Sequence, residues 1–386
     1  MEQNQVFHLP DTLKLGERIL VIGVGGGGGN ALNHIIQSGV EGVEFLAANT
    51  DSKALTLNKA PHKIILGEKL TKGRGAGADP QVGMDAAKES MEQIRGYVNE
   101  ADMVFVTAGM GGGTGTGAAP IIAEVAREAG SLVVGVVTMP FHFEMPKRTT
   151  AAQDGIVKLK DKVDALLVVE NDRLLSAADK NIKISEAYKM ANDVLRQAVQ
   201  GVTDLVLKPG VINVDFADVK TVMKNAGSAI MGMGEGEGEN RAELAAKAAI
   251  KSPLMSLPLK GAKGILMNVE ASLDVALHEM AQAASIINET AAEDAQVIWG
   301  HTINEEIGNK MRITVIATGF SDQKDKPSSS TSQQPTLGTL SVRTQGLRPF
   351  SLDEKDLQTS DEADMFSGAP KDKYDIPTIL RKQQQK

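Results

Sequence analysis

Residues Gly109–Gly117 read Gly-Met-Gly-Gly-Gly-Thr-Gly-Thr-Gly and follow directly on the apolar run Met103-Val-Phe-Val-Thr-Ala108. Six glycines in nine residues disfavour helix and strand, because glycine gives up more backbone entropy on ordering than any other residue. What such a run permits is close approach of the backbone to a ligand, with several N–H groups turned toward one point. Beyond it, Pro120-Ile-Ile-Ala-Glu-Val-Ala-Arg127 has the pattern of a helix body. Strand, glycine turn and helix is the arrangement that sets phosphate oxygens on free N–H donors at a helix N-terminus. Thr114 and Thr116 add hydroxyl donors with little bulk. A flexible linker is the alternative, but a linker is not expected between a buried strand and a helix.

A second glycine run, Gly23-Val-Gly-Gly-Gly-Gly-Gly-Asn30, lies between an expected strand, Arg18–Val24, and an expected helix, Ala31–Gly39. It satisfies the dinucleotide-binding spacing G-x-G-x-x-G through Gly23, Gly25 and Gly28, with Asp51 about twenty residues further on. Alone it would suit a nicotinamide-dependent oxidoreductase. Two glycine turns on two strands of one sheet suit a nucleotide with a longer phosphate chain. The Gly-Lys-Ser/Thr end of a P-loop is absent from the sequence.

Further β-branched runs, Val43–Asn49, Lys63–Leu66, Met103–Thr107, Leu132–Thr138 and Ala165–Glu170, alternate with helical stretches. Leu132–Thr138 is apolar on both faces, as parallel strands covered by helices are. The expectation is an α/β, doubly wound, Rossmann-like domain. A long central helix is expected at Ser185–Lys208, capped by Ser185 and ended by Pro209-Gly210. It joins the first domain to a smaller α+β domain whose clearest strands are Ile265–Ala271 and Arg312–Thr318. The expected divisions are a flexible tail (1–17), a nucleotide-binding domain (18–184), the central helix (185–208), a second domain (209–320), a disordered linker (321–371) and a terminal peptide (372–386). The linker is too rich in Ser, Gln, Asp and Lys to bury a core of its own. In the terminal peptide, Tyr374-Asp-Ile-Pro-Thr-Ile-Leu-Arg-Lys382 regains apolar and basic character and reads as a docking motif for a partner.

Composition narrows the function classes. A net charge of −8 gives no electrostatic reason to expect nucleic acid. The lack of cysteine excludes disulfides and thiolate metal sites. No apolar run of about 18 residues is present to insert in a membrane, and the polar N-terminus does not resemble a signal peptide. The expected location is cytoplasmic.

A third constellation is Asn213-Val-Asp-Phe-Ala-Asp218. Asp215 and Asp218, three apart, can share a water or a hydrated cation if a helix starts there; equally, one of them can simply cap that helix. If nucleotide touches the central helix near Tyr188 and Asn192, Lys208 lies about 24 Å further along it. Carboxylates at that distance act on nucleotide only if it belongs to another molecule.

With Gly111–Gly117 these motifs resemble the signature of the tubulin/FtsZ superfamily, and Val24–Asn30, Asn49-Thr-Asp51, Pro140-Phe-His-Phe-Glu144, Asn171-Asp-Arg-Leu-Leu175 and Asn213–Asp218 match its bacterial cell-division branch from about Arg18 to Phe320. The resemblance implies a GTPase that binds GTP or GDP, with Mg²⁺ held mainly by the phosphates and no protein metal site. It implies that Gly26, Gly27, Gly28, Gly29 and Asn30, with Gly113, Thr114 and Gly115, hold the phosphates. Glu144 and Arg148 would meet the ribose and polar rim, Asn171 and Asn192 the guanine, with Asp193 in reserve, and Tyr188 would stack on the base. Asn213, Asp215 and Asp218 would reach the γ-phosphate of the next subunit in a head-to-tail homopolymer. The implied role is assembly of the division ring on the inner face of the membrane, with the terminal peptide binding membrane tethers and regulators. A tubulin-like scaffold with little turnover is the alternative within the superfamily. Met145-Pro146 departs from the pattern, standing where the branch commonly has a glycine after the glutamate. Glu170 replaces a common proline, and Ile379 a common phenylalanine.

Overall fold

The computed structural model describes residues 16–178, 181–208, 210, 212, 214–255 and 257–320. Ten strands form one sheet: β1 (Ile19–Val24), β2 (Val43–Asn49), β3 (His62–Ile65), β4 (Met103–Gly109), β5 (Leu132–Met139), β6 (Ala165–Glu170), β7 (Gly227–Glu237), β8 (Gly264–Ala271), β9 (Gln296–Ile303) and β10 (Lys310–Thr318). Their order is β3-β2-β1-β4-β5-β6-β7-β10-β8-β9. The first six are parallel, and every residue of β1 is buried. Such strands need helices on both faces. One face packs Leu32, Ile35 and the apolar stripe of the central helix, the other Ala119, Ile122 and Ala123 of the helix after β4. Beyond β7 the sheet turns mixed: β10 runs antiparallel to β7 and β8, while β8 and β9 are parallel. The α/β expectation therefore holds, with a smaller mixed half.

Strand order places the functional end of the molecule. The chain winds outward one way through β1, β2 and β3, and the other way through β4, β5 and β6. The two directions part between β1 and β4, and ligands in open α/β sheets bind beyond the carboxyl ends of strands at such a switch point. Val24 pairs in register with Ala108, so β1 and β4 end together. Both glycine runs consequently leave the sheet side by side.

The central helix spans Ile184–Leu207, 24 residues or about 36 Å. Its buried stripe runs from Ala187 through Ala191, Val194, Leu195, Ala198 and Val202 to Leu205. Ser185 is not its cap. Lys183 holds the N-cap position, and the Glu186 carboxylate reaches back to the Lys183 N–H at 3.3 Å, the reciprocal half of a capping box.

β7 and β9 were not among the clearest strands in the sequence. In β7, Gly232, Gly234 and Gly236 share one face by the two-residue period of a strand. A Cβ at each would lie 2.1–2.2 Å from a carbonyl of Arg241–Ile250. That helix is rich in buried alanine (Ala242, Ala245, Ala246, Ala249) and rests directly on the strand. Here glycine marks contact between backbones, where local propensity reads a break.

Candidate functional site

The first glycine run forms the first turn of a helix, and the second makes a turn at Met110–Gly113 that leads into one. The helix after β1 spans Gly25–Gln37 and the helix after β4 spans Thr114–Glu128, each starting earlier than sequence pattern suggests. The reason is mutual packing. A Cβ on Gly25 would meet Gly115 N at 2.8 Å, one on Gly27 would meet Gly109 Cα at 2.9 Å, and one on Gly28 would meet the Thr107 carbonyl at 2.3 Å. The close packing brings two helix N-termini together, which concentrates unpaired N–H groups and partial positive charge in one place.

Above them lies a cleft of about 320 Å³, within the range of small-molecule sites. Gly26, Gly27, Asn30, Gly112, Gly113, Thr114 and Gly115 line it. Glu144, Arg148, Asn171, Tyr188 and Asn192 line it as well, with Arg148 set against Gly111 and Gly112. Of the residues singled out in the two glycine runs, Gly28 is buried against Thr107 and does not line the cleft, and Gly29 opens on a neighbouring depression with Asn33 and Asn58.

Several side chains are held in place by their surroundings. The Thr114 hydroxyl lies 2.6 Å from that of Thr50, a fully buried residue at the end of β2 that sequence reasoning did not single out. Glu144 accepts the Phe141 N–H at 3.1 Å and pairs with Arg148 at 2.7 Å. Tyr188 stands edge-on to Phe141, with centroids 5.2 Å apart, and its ring stays half-exposed toward the cleft. Burial, with the Glu144 carboxylate beside it, pushes the Tyr188 phenol above its ordinary value, so it is a neutral donor at pH 7.

Asn171 carries the most informative atom. The residue is 3% exposed and its Oδ1 has no hydrogen-bond partner among the described residues. A buried acceptor left unpaired costs about 1–3 kcal/mol, and this one belongs to a residue of the cleft wall. A ligand that presents an N–H there recovers that cost.

Other residues are drawn away from the cleft. Asp193 binds His34 at 3.1 Å, Arg196 at 2.7 Å and Gln197 at 2.7 Å; it is not spare. Burial opposes its charge, but Arg196 and His34 prevail and hold its carboxyl below the usual range. Asp51, the acidic residue a dinucleotide fingerprint would turn to the ribose, accepts the N–H groups of Lys53 and Ala54 as a helix cap. His142 is exposed and bonds Asp172 at 2.9 Å. Asp215 caps the helix Phe216–Met223, accepting the Asp218 N–H at 2.8 Å, and neither carboxylate lines the cleft. Asn213 lies outside the described residues, as do the tail 1–15 and everything after Phe320, including the expected linker and terminal peptide.

Met145, at the position of the missing glycine, has φ 79° and ψ 149°. Glycine enters that region freely and other residues rarely. The turn between Glu144 and Arg148 thus passes through a backbone conformation that a methionine seldom adopts.

Comparison with known proteins gives a consistent picture. The Tubulin/FtsZ family GTPase domain matches residues 18–179, and the FtsZ family C-terminal domain matches residues 227–321. An FtsZ dimer from M. jannaschii is 42% identical over 79% of this chain and 89% of that one, with a TM-score of 0.76. CetZ2 from Haloferax volcanii, in a GTPγS-bound protofilament, is 21% identical over 80% and 94%, with a TM-score of 0.68. GDP-bound monomeric CetZ1 from the same organism is 21% identical over 79% and 95%, with a TM-score of 0.69. At that identity the last two share the fold.

Proposed function

We propose, from the premise that the chain belongs to the Tubulin/FtsZ family, that it binds and hydrolyses GTP in a site completed by a second copy of itself. The phosphates would lie across the paired helix N-termini, on N–H groups of Gly26–Gly27 and Gly113–Gly115 and on the Thr114 hydroxyl. The base would stack on Tyr188 and donate an N–H to Asn171 Oδ1, with Asn192 on its other edge and the Glu144–Arg148 pair at the sugar.

One observation carries the shared-site reading. Among the described residues the only carboxylate lining the cleft is Glu144, and it is committed to Arg148 and the Phe141 N–H. The described lining of the cleft therefore offers no free carboxylate to polarise water. Asp215 and Asp218 lie past the far end of the helix that carries Asn192. From Asn192 to Leu207 that helix runs about 22 Å, so they serve the nucleotide of a neighbour. The two ends of one chain then complement each other, a heterologous contact that propagates as a filament.

Magnesium fits this site only with its substrate. Among the described residues no group of three or more His, Cys, Asp or Glu is placed to hold a metal, so the phosphates would carry the ion. When bound, it neutralises their charge as the transition state develops. Polymers of this kind would form the division ring, tethered through the terminal peptide at residues 372–386. No described helix is long and apolar enough to cross a membrane.

The test is GTP turnover against protein concentration with sedimentation in parallel, on the full chain and on one ending at residue 371. Specific activity should rise with assembly in both, with membrane recruitment lost in the second. Constant specific activity at dilutions where nothing sediments would show a site complete within one chain.

A further inference from the structure

Behind the phosphate-facing turn lies a second cleft, of about 430 Å³, which the nucleotide reading does not use. Three helices enclose it: Pro80–Glu89, Thr114–Glu128 and Pro146–Lys160. Its walls are Pro80, Met84, Pro120 and Ala151, apolar surface of the kind that buries a ligand body. Its floor is thin. Gly155 packs against Thr116, where an added Cβ would lie 2.4 Å from Thr116 Cγ2, and against Met110, and Met110 lines the nucleotide cleft on the other side.

Charge at the rim is uneven. Lys147 and Lys158 stand at opposite ends, about 16 Å apart along one helix, both exposed. Neither has a hydrogen bond or ion pair among the described residues. Asp154 also lines the rim, one turn before Lys158, and offsets it. The Lys147 end is left with uncompensated positive charge.

We propose that this cleft is a binding site for a small amphipathic anion, an apolar body with one acidic headgroup. The body lies on Met84, Pro120 and Ala151, and the headgroup meets Lys147. The site is separate from the nucleotide cleft, and the inference stands whether or not the GTPase reading does.

The probe is 8-anilinonaphthalene-1-sulfonate, titrated by fluorescence into the full-length, GDP-loaded protein, with a fluorescent GDP analogue reporting nucleotide binding. One saturable site per chain is expected. Lys147→Glu should weaken it by about tenfold or more, as for loss of a charge-assisted contact. Lys158→Glu should change it by no more than about threefold, as for a screened surface charge. Ala151→Phe, which fills the cleft, should abolish it. Inorganic sulfate at equal concentration should fail to displace the probe, because it lacks the apolar body. Nucleotide affinity should be unchanged in all three variants. If Ala151→Phe does not fold, the exposed lysine substitutions carry the test. The proposal is overturned by absence of a saturable site, by the probe expelling the fluorescent GDP analogue one for one, by insensitivity to Lys147→Glu, or by competition from sulfate alone.

Discussion

Replacing Asp215 separates two roles that one carboxylate combines. Its Oδ1 caps the helix Phe216–Met223 through the Asp218 N–H at 2.8 Å, and the proposed chemistry needs its charge. Asparagine caps about as well as aspartate, whereas alanine loses about 1 kcal/mol at such a position. Asp215→Asn should therefore unfold in urea at the parental midpoint, and Asp215→Ala about 1 kcal/mol earlier. Both should lose turnover by about 10²–10⁴-fold, the usual contribution of a positioned base, or about 3–5 kcal/mol of barrier. Nucleotide affinity should stay within about twofold of the parent, because about 22 Å of helix separates Asn192 from Leu207 and the aspartate lies beyond. The assays are phosphate release above the assembly threshold, equilibrium binding of a fluorescent GTP analogue, and urea unfolding. Mixing Asp215→Asn with Gly112→Val provides a complementation control. A Cβ at Gly112 meets only Arg148 Nη2, at 4.0 Å, so valine there obstructs the cleft without disturbing the backbone. A subunit with an intact acidic turn can then serve a neighbour with an intact cleft, and some activity should return. Full turnover by Asp215→Asn would refute the charge argument. Affinity falling in step with turnover would refute the distance argument.

Other outcomes follow from single features of the site and core. Asn171→Leu removes the unpaired Oδ1 and should weaken GTP by about 1–3 kcal/mol while leaving ATP affinity unchanged in competition titrations; equal loss for both nucleotides would place the base elsewhere. Met145→Gly relieves the backbone at φ 79° and should raise stability by about 1 kcal/mol, the lower end of such strain, read as a higher urea midpoint at unchanged slope; no gain would mean that the turn is not strained. Arg241 is buried and binds Glu279 at 2.8 and 3.1 Å, so Arg241→Met should cost about 3–5 kcal/mol at pH 7 by stranding a buried carboxylate. The Arg241 hydrogen bond holds the Glu279 carboxyl below its ordinary value, so this stabilisation is complete above the unfolded carboxylate range and fades as pH falls through the folded value. The gap between parent and variant should narrow toward pH 3, and a gap independent of pH would contradict the pairing.

Much of the architecture is written in local pattern. Alternation of β-branched runs with helical stretches is enough to give a parallel, doubly wound half, because burial on both faces selects residues strand by strand. The glycine runs mark where phosphate would sit, since few other functions tolerate so many glycines after a buried strand. The stripe from Ala187 to Leu205 spells out a helix long enough to part Tyr188 and Asn192 from Asp215 and Asp218.

Tertiary structure alone decided the rest, because those features depend on atoms distant in sequence. Gly25 and Gly115 are 90 positions apart, yet they pack so closely that a Cβ on Gly25 would lie 2.8 Å from Gly115 N, and that packing sets two helix starts side by side. The glycines of β7 read as a broken strand until the helix Arg241–Ile250 is laid on them. Thr50 matters because β2 ends beside Thr114. Asn171 Oδ1 is meaningful only as a buried atom with no partner. Asp193, in reserve by sequence, is claimed by His34 from the neighbouring helix on the same face of the sheet. Propensity and pattern are properties of neighbours along the chain. The space a Cβ would fill, and whether a buried polar atom has a partner, are set by whatever the fold brings against it.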